Sequence, residues 1–173
     1  MSDETNQNKL ILSVAPFSRG FGFVVFEGPH NLIDWGVKEV RTDKNTSSLN
    51  KIEALIDFYW PDVLVLEDPS GENRRRVRIR SLLGLISKLG KRKKITTKSY
   101  TRPMVRQAFE TINVSTKFEI SRAVADEWPE LKPYLPPSRK PWMSEDYRMS
   151  IFEAISLAVT YFYFETEKAS DEK

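Results

Sequence analysis

Short apolar runs broken by turn residues open the chain, and longer stretches of helical periodicity close it. Lys9 to Ala15 predicts a buried strand ended by Pro16, and Phe21 to Glu27 predicts a second, with Gly20 and Gly22 at its start. A Gly28-Pro29-His30-Asn31 turn leads to a third strand over Leu32–Val40. Connections this short favour hairpins, so the three strands form an antiparallel meander. Leu49, Ile52, Leu55, Ile56 and Tyr59 then fall at helical spacing behind a cap at Ser47 or Ser48, and Pro61 ends that helix. Residues 63–67, VLVLE, form a continuous apolar run of the kind found in interior parallel strands. Val77, Ile79, Leu82, Leu83, Ile86 and Leu89 predict a helix over Asn73–Lys93, followed by a strand over Lys94–Tyr100. Helices are expected at Arg102–Phe109 and at Thr116–Trp128, the second capped by Ser115. A loop over Pro129–Pro141 contains five prolines, and a last helix is expected from about Glu145 to Phe164.

This order predicts an α/β fold in one domain over residues 9–164. Long strand–helix–strand crossovers imply parallel pairing with right-handed connections. The sheet is therefore mixed, a three-strand antiparallel meander joined to parallel strands, with helices on both faces. Residues 1–8 read as a disordered polar tail and residues 165–173 as a polar C-terminal tail.

Composition narrows the chemistry. The absence of cysteine excludes a disulfide framework, a thiolate zinc site and a cysteine nucleophile. A single histidine, His30, excludes a multi-histidine metal centre. The MSDETNQN start is acidic and polar, unlike a signal peptide, and Ile155–Phe164 is far shorter than the ~20 residues of a membrane span. A cytoplasmic location is expected. The net charge of +3 hides a segregation: Gly71 to Arg106 holds 13 basic residues and one acid, while the rest is net negative. Such a segment is expected to attract a polyanion, although a solvated basic helix has the same composition.

Two acidic positions stand out. Ligands gather beyond the carboxyl ends of strands in sheets with crossover helices, and Glu67-Asp68 closes the VLVL strand. Glu153 interrupts an otherwise apolar last helix, where a carboxylate needs a cation or a metal. In a continuous helix, Asp146, Ser150 and Glu153 fall within an arc of about 60°. Glu67, Glu153 and Asp146 are therefore the expected catalytic and metal-holding set, suited to a hard divalent ion such as Mg2+ or Mn2+.

Four stretches in order resemble the RuvC-type Holliday-junction resolvases of the RNase H-like superfamily. They are ILSVAPFSRGFGFVVFE, PDVLVLED, KSYTRPMVRQAFETINVSTKFEI and RMSIFEAISLAVTYF, and together they span roughly Leu10 to Phe162. The resemblance implies an RNase H-like fold, a metal-dependent endonuclease active on branched DNA, a role in recombination and a homodimer. It assigns Glu67 to the family's catalytic glutamate. It also implies nucleic-acid contacts by Arg74, Arg75, Arg76, Arg78 and Arg80 after that strand, and by Arg102, Arg106 and Lys117 further on. Arg19, Arg139 and Lys140 are added as phosphate contacts on their charge. The departures are Ala15, where the family has a metal-bridging aspartate, and Ser150 and Glu153, where it has two acids three residues apart. The alternative is a catalytically inactive relative that serves as a DNA- or RNA-binding or scaffold module. An RNase H-type ribonuclease on a hybrid duplex stands close to these readings. A sugar-kinase or actin-type ATPase stands further off, since glycine-rich phosphate loops and a second domain are missing.

Overall fold

The computed structural model describes residues 9–70 and 77–172. Five strands are present: β1 (Leu10–Phe17), β2 (Gly20–Glu27), β3 (Asn31–Glu39), β4 (Val63–Glu67) and β5 (Thr96–Tyr100). They form one sheet in the order β3-β2-β1-β4-β5. β1, β2 and β3 pair antiparallel through two short turns, while β4 pairs parallel with both β1 and β5. The mixed sheet expected from the element order is therefore present.

Helices cover both faces: α1 (Lys44–Tyr59) and α2 (Val77–Arg92) on one, and α3 (Arg102–Phe109), α4 (Lys117–Glu127) and α5 (Met149–Asp171) on the other. Strand alternation decides which residue meets which layer. Leu12, Val14, Phe23, Val25, Leu64 and Leu66 pack against α1 and α2. Ile11, Ala15, Val24, Phe26, Val63 and Val65 pack against the α5 layer. Burial on both faces is why β1 and β4 read as unbroken apolar runs rather than as alternating ones.

Helix boundaries depart from the sequence expectation where local capping chemistry takes over. α1 begins at Lys44, ahead of Ser47 and Ser48; Asp43 precedes it in the left-handed region, and Ser47 donates to the Thr42 carbonyl. Trp60, also left-handed, closes α1 before Pro61 is reached. Thr116, not Ser115, caps α4: its hydroxyl accepts from the Glu119 N–H and donates to the Glu119 carboxylate. The start expected for α2 at Asn73 falls outside the described residues. α5 begins four residues later than expected and continues past Phe164 to Asp171, so most of the stretch read as a tail is helical. Among the described residues, no helix is long and apolar enough to cross a membrane.

Candidate functional site

β1 and β4 run parallel with Ser13 level with Val65. Two residues further on, Ala15 and Glu67 come level at the carboxyl end of both strands. Ala15 belongs to the α5 face of the sheet, and Glu67 follows Val63 and Val65 on that same face. α5 is fixed across it by two contacts. The Ser13 hydroxyl donates to the Ala154 carbonyl at 2.6 Å in the interior. Gly22, the β2 partner of Ala15, lies so close to Ser150 that an added Cβ would sit 2.5 Å from its carbonyl oxygen.

This arrangement leaves a cavity of about 370 Å³ between the sheet edge, α3, α4 and α5. Ala15, Glu67, Arg102, Arg106, Lys117 and Glu153 all line it, with Tyr100, Val105, Ile120, Phe152 and Leu157 as apolar wall. Glu67 and Glu153, 86 positions apart in sequence, thus open into one space. Both carboxylates meet cations there. Arg102 Nε lies 3.5 Å from Glu67 Oε1, and Lys117 Nζ lies 2.5 Å from Glu153 Oε1. Lys117 also contacts Glu145 at 3.3 Å, so one ammonium ties α4 to α5 and to the loop before it. Tyr100 is buried in the wall, and its phenol is pushed well above the ordinary range by desolvation and by the charge of Glu165.

Asp146 is not among the residues that line this cavity. Its carboxylate accepts from the backbone N–H and the Nε of Arg148, both at 2.9 Å, and from Arg148 Nη2 at 2.8 Å. The expected convergence with Glu67 and Glu153 required Asp146 to lie one helical turn before Ser150. Because α5 starts only at Met149, Asp146 sits in an irregular turn and caps the approach to the helix instead. Ser150 points at Gly22 and donates to the Tyr147 carbonyl, so its hydroxyl is also directed away from the cavity.

A hard divalent ion takes oxygen ligands, commonly one or two carboxylates with waters and substrate phosphate completing the shell. Among the described residues, no group of three or more Asp, Glu or His side chains is placed to hold one. The cavity instead pairs two carboxylates with Arg102 and Lys117, and has a methyl group at Ala15. Two carboxylates already paired with cations, with Asp146 elsewhere, do not make the three-acid set expected from the sequence.

Hydrogen bonds from Arg148, opposed in part by desolvation and aided by the Arg148 and Arg19 charges, hold the Asp146 carboxyl below its ordinary range. A folded-state pKa below the unfolded one adds stability at neutral pH that is lost as pH falls through the folded value. Asp146→Asn is therefore expected to lower the urea midpoint at pH 7. At a pH low enough to protonate the carboxyl in the folded state, it is expected to match the wild type. An equal deficit at neutral and at acid pH would show that the charge is not what stabilises the turn.

The basic positions divide. Arg102, Arg106 and Lys117 belong to the cavity, and Arg19 is exposed in the β1–β2 turn beside Asp146. Arg139 donates to the Met143 carbonyl at 2.7 Å and lies 3.8 Å from Glu145, while the Lys140 ammonium sits 5.3 Å from the Trp142 ring centre. Arg74, Arg75 and Arg76 lie outside the described residues. The Arg78 guanidinium donates to Asn45 and to the Phe17 and Ser18 carbonyls, stitching α2 to α1 and the β1–β2 turn. Arg80 is exposed on α2, in the other helical layer. Arg92 and Lys93, roughly 20 Å further along that helix, pair with Glu53 and Asp57. The described part of the segment that is basic in sequence is therefore spread over both layers.

Comparison with solved structures bears on this geometry. Thermus thermophilus RuvC superposes with a TM-score of 0.65 at 14% identity, over 92% of this chain and 96% of that one. The fold is the RuvC fold, of the RNase H-like type. T. thermophilus RuvC in complex with a Holliday junction substrate matches at TM-score 0.63 and 13% identity, over 91% of this chain and 96% of that one. The yeast mitochondrial Holliday junction resolvase Ydc2 matches at 0.60 and 11%, over 92% and 80%. No protein-family model matches the sequence, and neither does any curated protein. At these identities the RuvC likeness extends to the architecture, while the cavity chemistry is read from this chain's own residues.

Proposed function

We propose that this chain binds branched or otherwise structured nucleic acid at the cavity rim, through side-chain cations and without divalent metal. The observation that carries the reading is the cavity charge pattern: Glu67 faces Arg102, Glu153 faces Lys117, and Ala15 lies between the strands' ends. The lining holds three bases against two acids, an excess of positive charge at a concave edge. Arg102 and Arg106 bring planar guanidinium groups suited to phosphate oxygens, which position a nucleic acid without reading its sequence. The choice of a branched ligand draws on the shared architecture with a RuvC solved on a Holliday junction.

Fluorescence anisotropy with a four-way junction, a duplex, a single strand and an RNA–DNA hybrid tests the reading. The junction is expected to bind most tightly, and EDTA and magnesium are expected to give the same affinity. Affinity is expected to fall steeply with salt, log K dropping by about 0.9 per phosphate neutralised in duplex arms. Arg106→Ala is expected to weaken binding several-fold and to reduce the salt slope by about one. Magnesium- or manganese-dependent cutting of any of the four substrates, abolished by Glu67→Gln, would overturn the reading in favour of a nuclease.

A further inference from the structure

The loop between α4 and α5 carries a feature that the cavity does not explain. Trp142 is 77% exposed, with Met143 and Tyr147 nearby in sequence at 46% and 42%. An indole left in water on a mobile tail would mean little, but this one is held. The Met143 N–H donates to the Lys140 carbonyl at 3.0 Å, closing a turn with Pro141 and Trp142 at its corner. Pro141 fixes its own φ at the position where such turns favour proline. Arg139 donates to the Met143 carbonyl from across the turn. The backbone that carries the ring is thus ordered in a turn before any ligand arrives, which reduces the ordering cost of binding.

Basic side chains flank Trp142 in sequence, and an ion-pair network leads from the turn to the cavity. The Lys140 ammonium approaches one side of the indole at 5.3 Å, and the Arg148 guanidinium lies 6.0 Å from the Tyr147 ring. A single oxygen, Glu145 Oε2, contacts both Lys117 in the cavity and Arg139 at the turn. The turn and the cavity therefore share one ion-pair network. An aromatic face beside cations that track a backbone is the arrangement that holds an unpaired nucleobase, because every base has a π-face and needs no hydrogen-bond code.

We infer that Trp142 is a stacking platform for an unpaired base of the nucleic acid held at the cavity, with Lys140 beside the adjoining phosphate. This rests on the binding function proposed above and names the part of the ligand that the loop recognises. It predicts a preference for branch points with unpaired bases over fully paired duplex.

The test compares wild type, Trp142→Ala and Trp142→Phe on a junction with two unpaired bases at its centre and on a paired duplex of matched length. Trp142→Ala is expected to weaken binding to the first by about tenfold or more, with duplex affinity and salt slope unchanged. Trp142→Phe is expected to retain most of the affinity, and thermal unfolding of both variants is expected to match wild type. A 2-aminopurine at the unpaired position is expected to be quenched by wild type and not by Trp142→Ala. Wild-type affinity of Trp142→Ala for the unpaired junction would overturn the stacking role alone, as would equal losses on junction and duplex. Failure of the wild type to bind any of these nucleic acids would instead remove the binding function on which the inference rests.

Discussion

Gly22→Ala is expected to destabilise the protein by about 3 kcal/mol, at the upper end of the usual cost of overpacking. The added Cβ would lie 2.5 Å from both the carbonyl oxygen and the hydroxyl of Ser150, and would crowd its carbonyl carbon as well. Two of those three atoms are backbone, so no rotamer change relieves the contact. The first turn of α5 must move off β2, against the Ser13 hydrogen bond that holds Ala154. At about 2–4 °C per kcal/mol for a chain of this size, the melting temperature is expected to fall by roughly 6–12 °C. Gly84→Ala is the internal control. That glycine is exposed on α2, and a side-chain carbon added there would meet nothing within 4 Å. Alanine's helix propensity is therefore expected to add about 0.5–1 kcal/mol. Calorimetry on both variants checks the pair, and a Gly22→Ala protein as stable as wild type would mean that α5 is not seated as described. Because Glu153 is four residues from Met149 on the same helix, any shift that accommodates the alanine is also expected to disturb the cavity.

The sheet was legible in the sequence because its physics is local. β1 and β4 are buried on both faces, so VLVLE and KLILSVA had no polar alternation to confuse the reading, and the short turns at Ser18-Arg19 and Gly28–His30 forced a meander. Glu67 was legible for the same reason: a carboxylate directly after an interior strand has one place to be. Glu153 was legible as a charge on an apolar helix, but its partner was not, since Lys117 comes from a helix 36 positions earlier.

The failures share a cause. Helical periodicity continues smoothly through Glu145 and Asp146, yet the Arg148 side chain and backbone take up the Asp146 carboxylate and the helix starts after them. Local side-chain competition of this kind is invisible to a hydrophobic pattern. The contacts of Arg78 were hidden for a related reason. Its charge suggested a phosphate, whereas three oxygens of α1 and the β1–β2 turn stand within reach once the two parallel crossovers bring those elements together. Trp142 left no periodic signal at all, because a turn corner has none; the one available clue was a tryptophan in a proline-rich segment between basic residues.

Ala15→Asp provides the sharpest test of why this cavity pairs its glutamates with cations. Ala15 is 3% exposed and lines the same cavity as Glu67. An aspartate there would place a third carboxylate in a space already holding Glu67 and Glu153. Without a divalent ion, burial and like charge raise its pKa above the unfolded value of about 3.9. A raised folded-state value means that the penalty is absent below pH 4 and grows as pH rises through the folded value. At pH 7 the variant is expected to lose about 2–4 kcal/mol. Manganese is then expected to reverse that loss, since an ion at a hundred times its Kd returns about 2.7 kcal/mol to the folded state. The wild type, whose two carboxylates already face Arg102 and Lys117, is expected to melt at the same temperature with manganese or with EDTA. Thermal scans of both proteins in the two buffers separate the cases. An equal manganese shift in the wild type would mean that its ion pairs yield to a metal, and the metal-independent account of the cavity would fail.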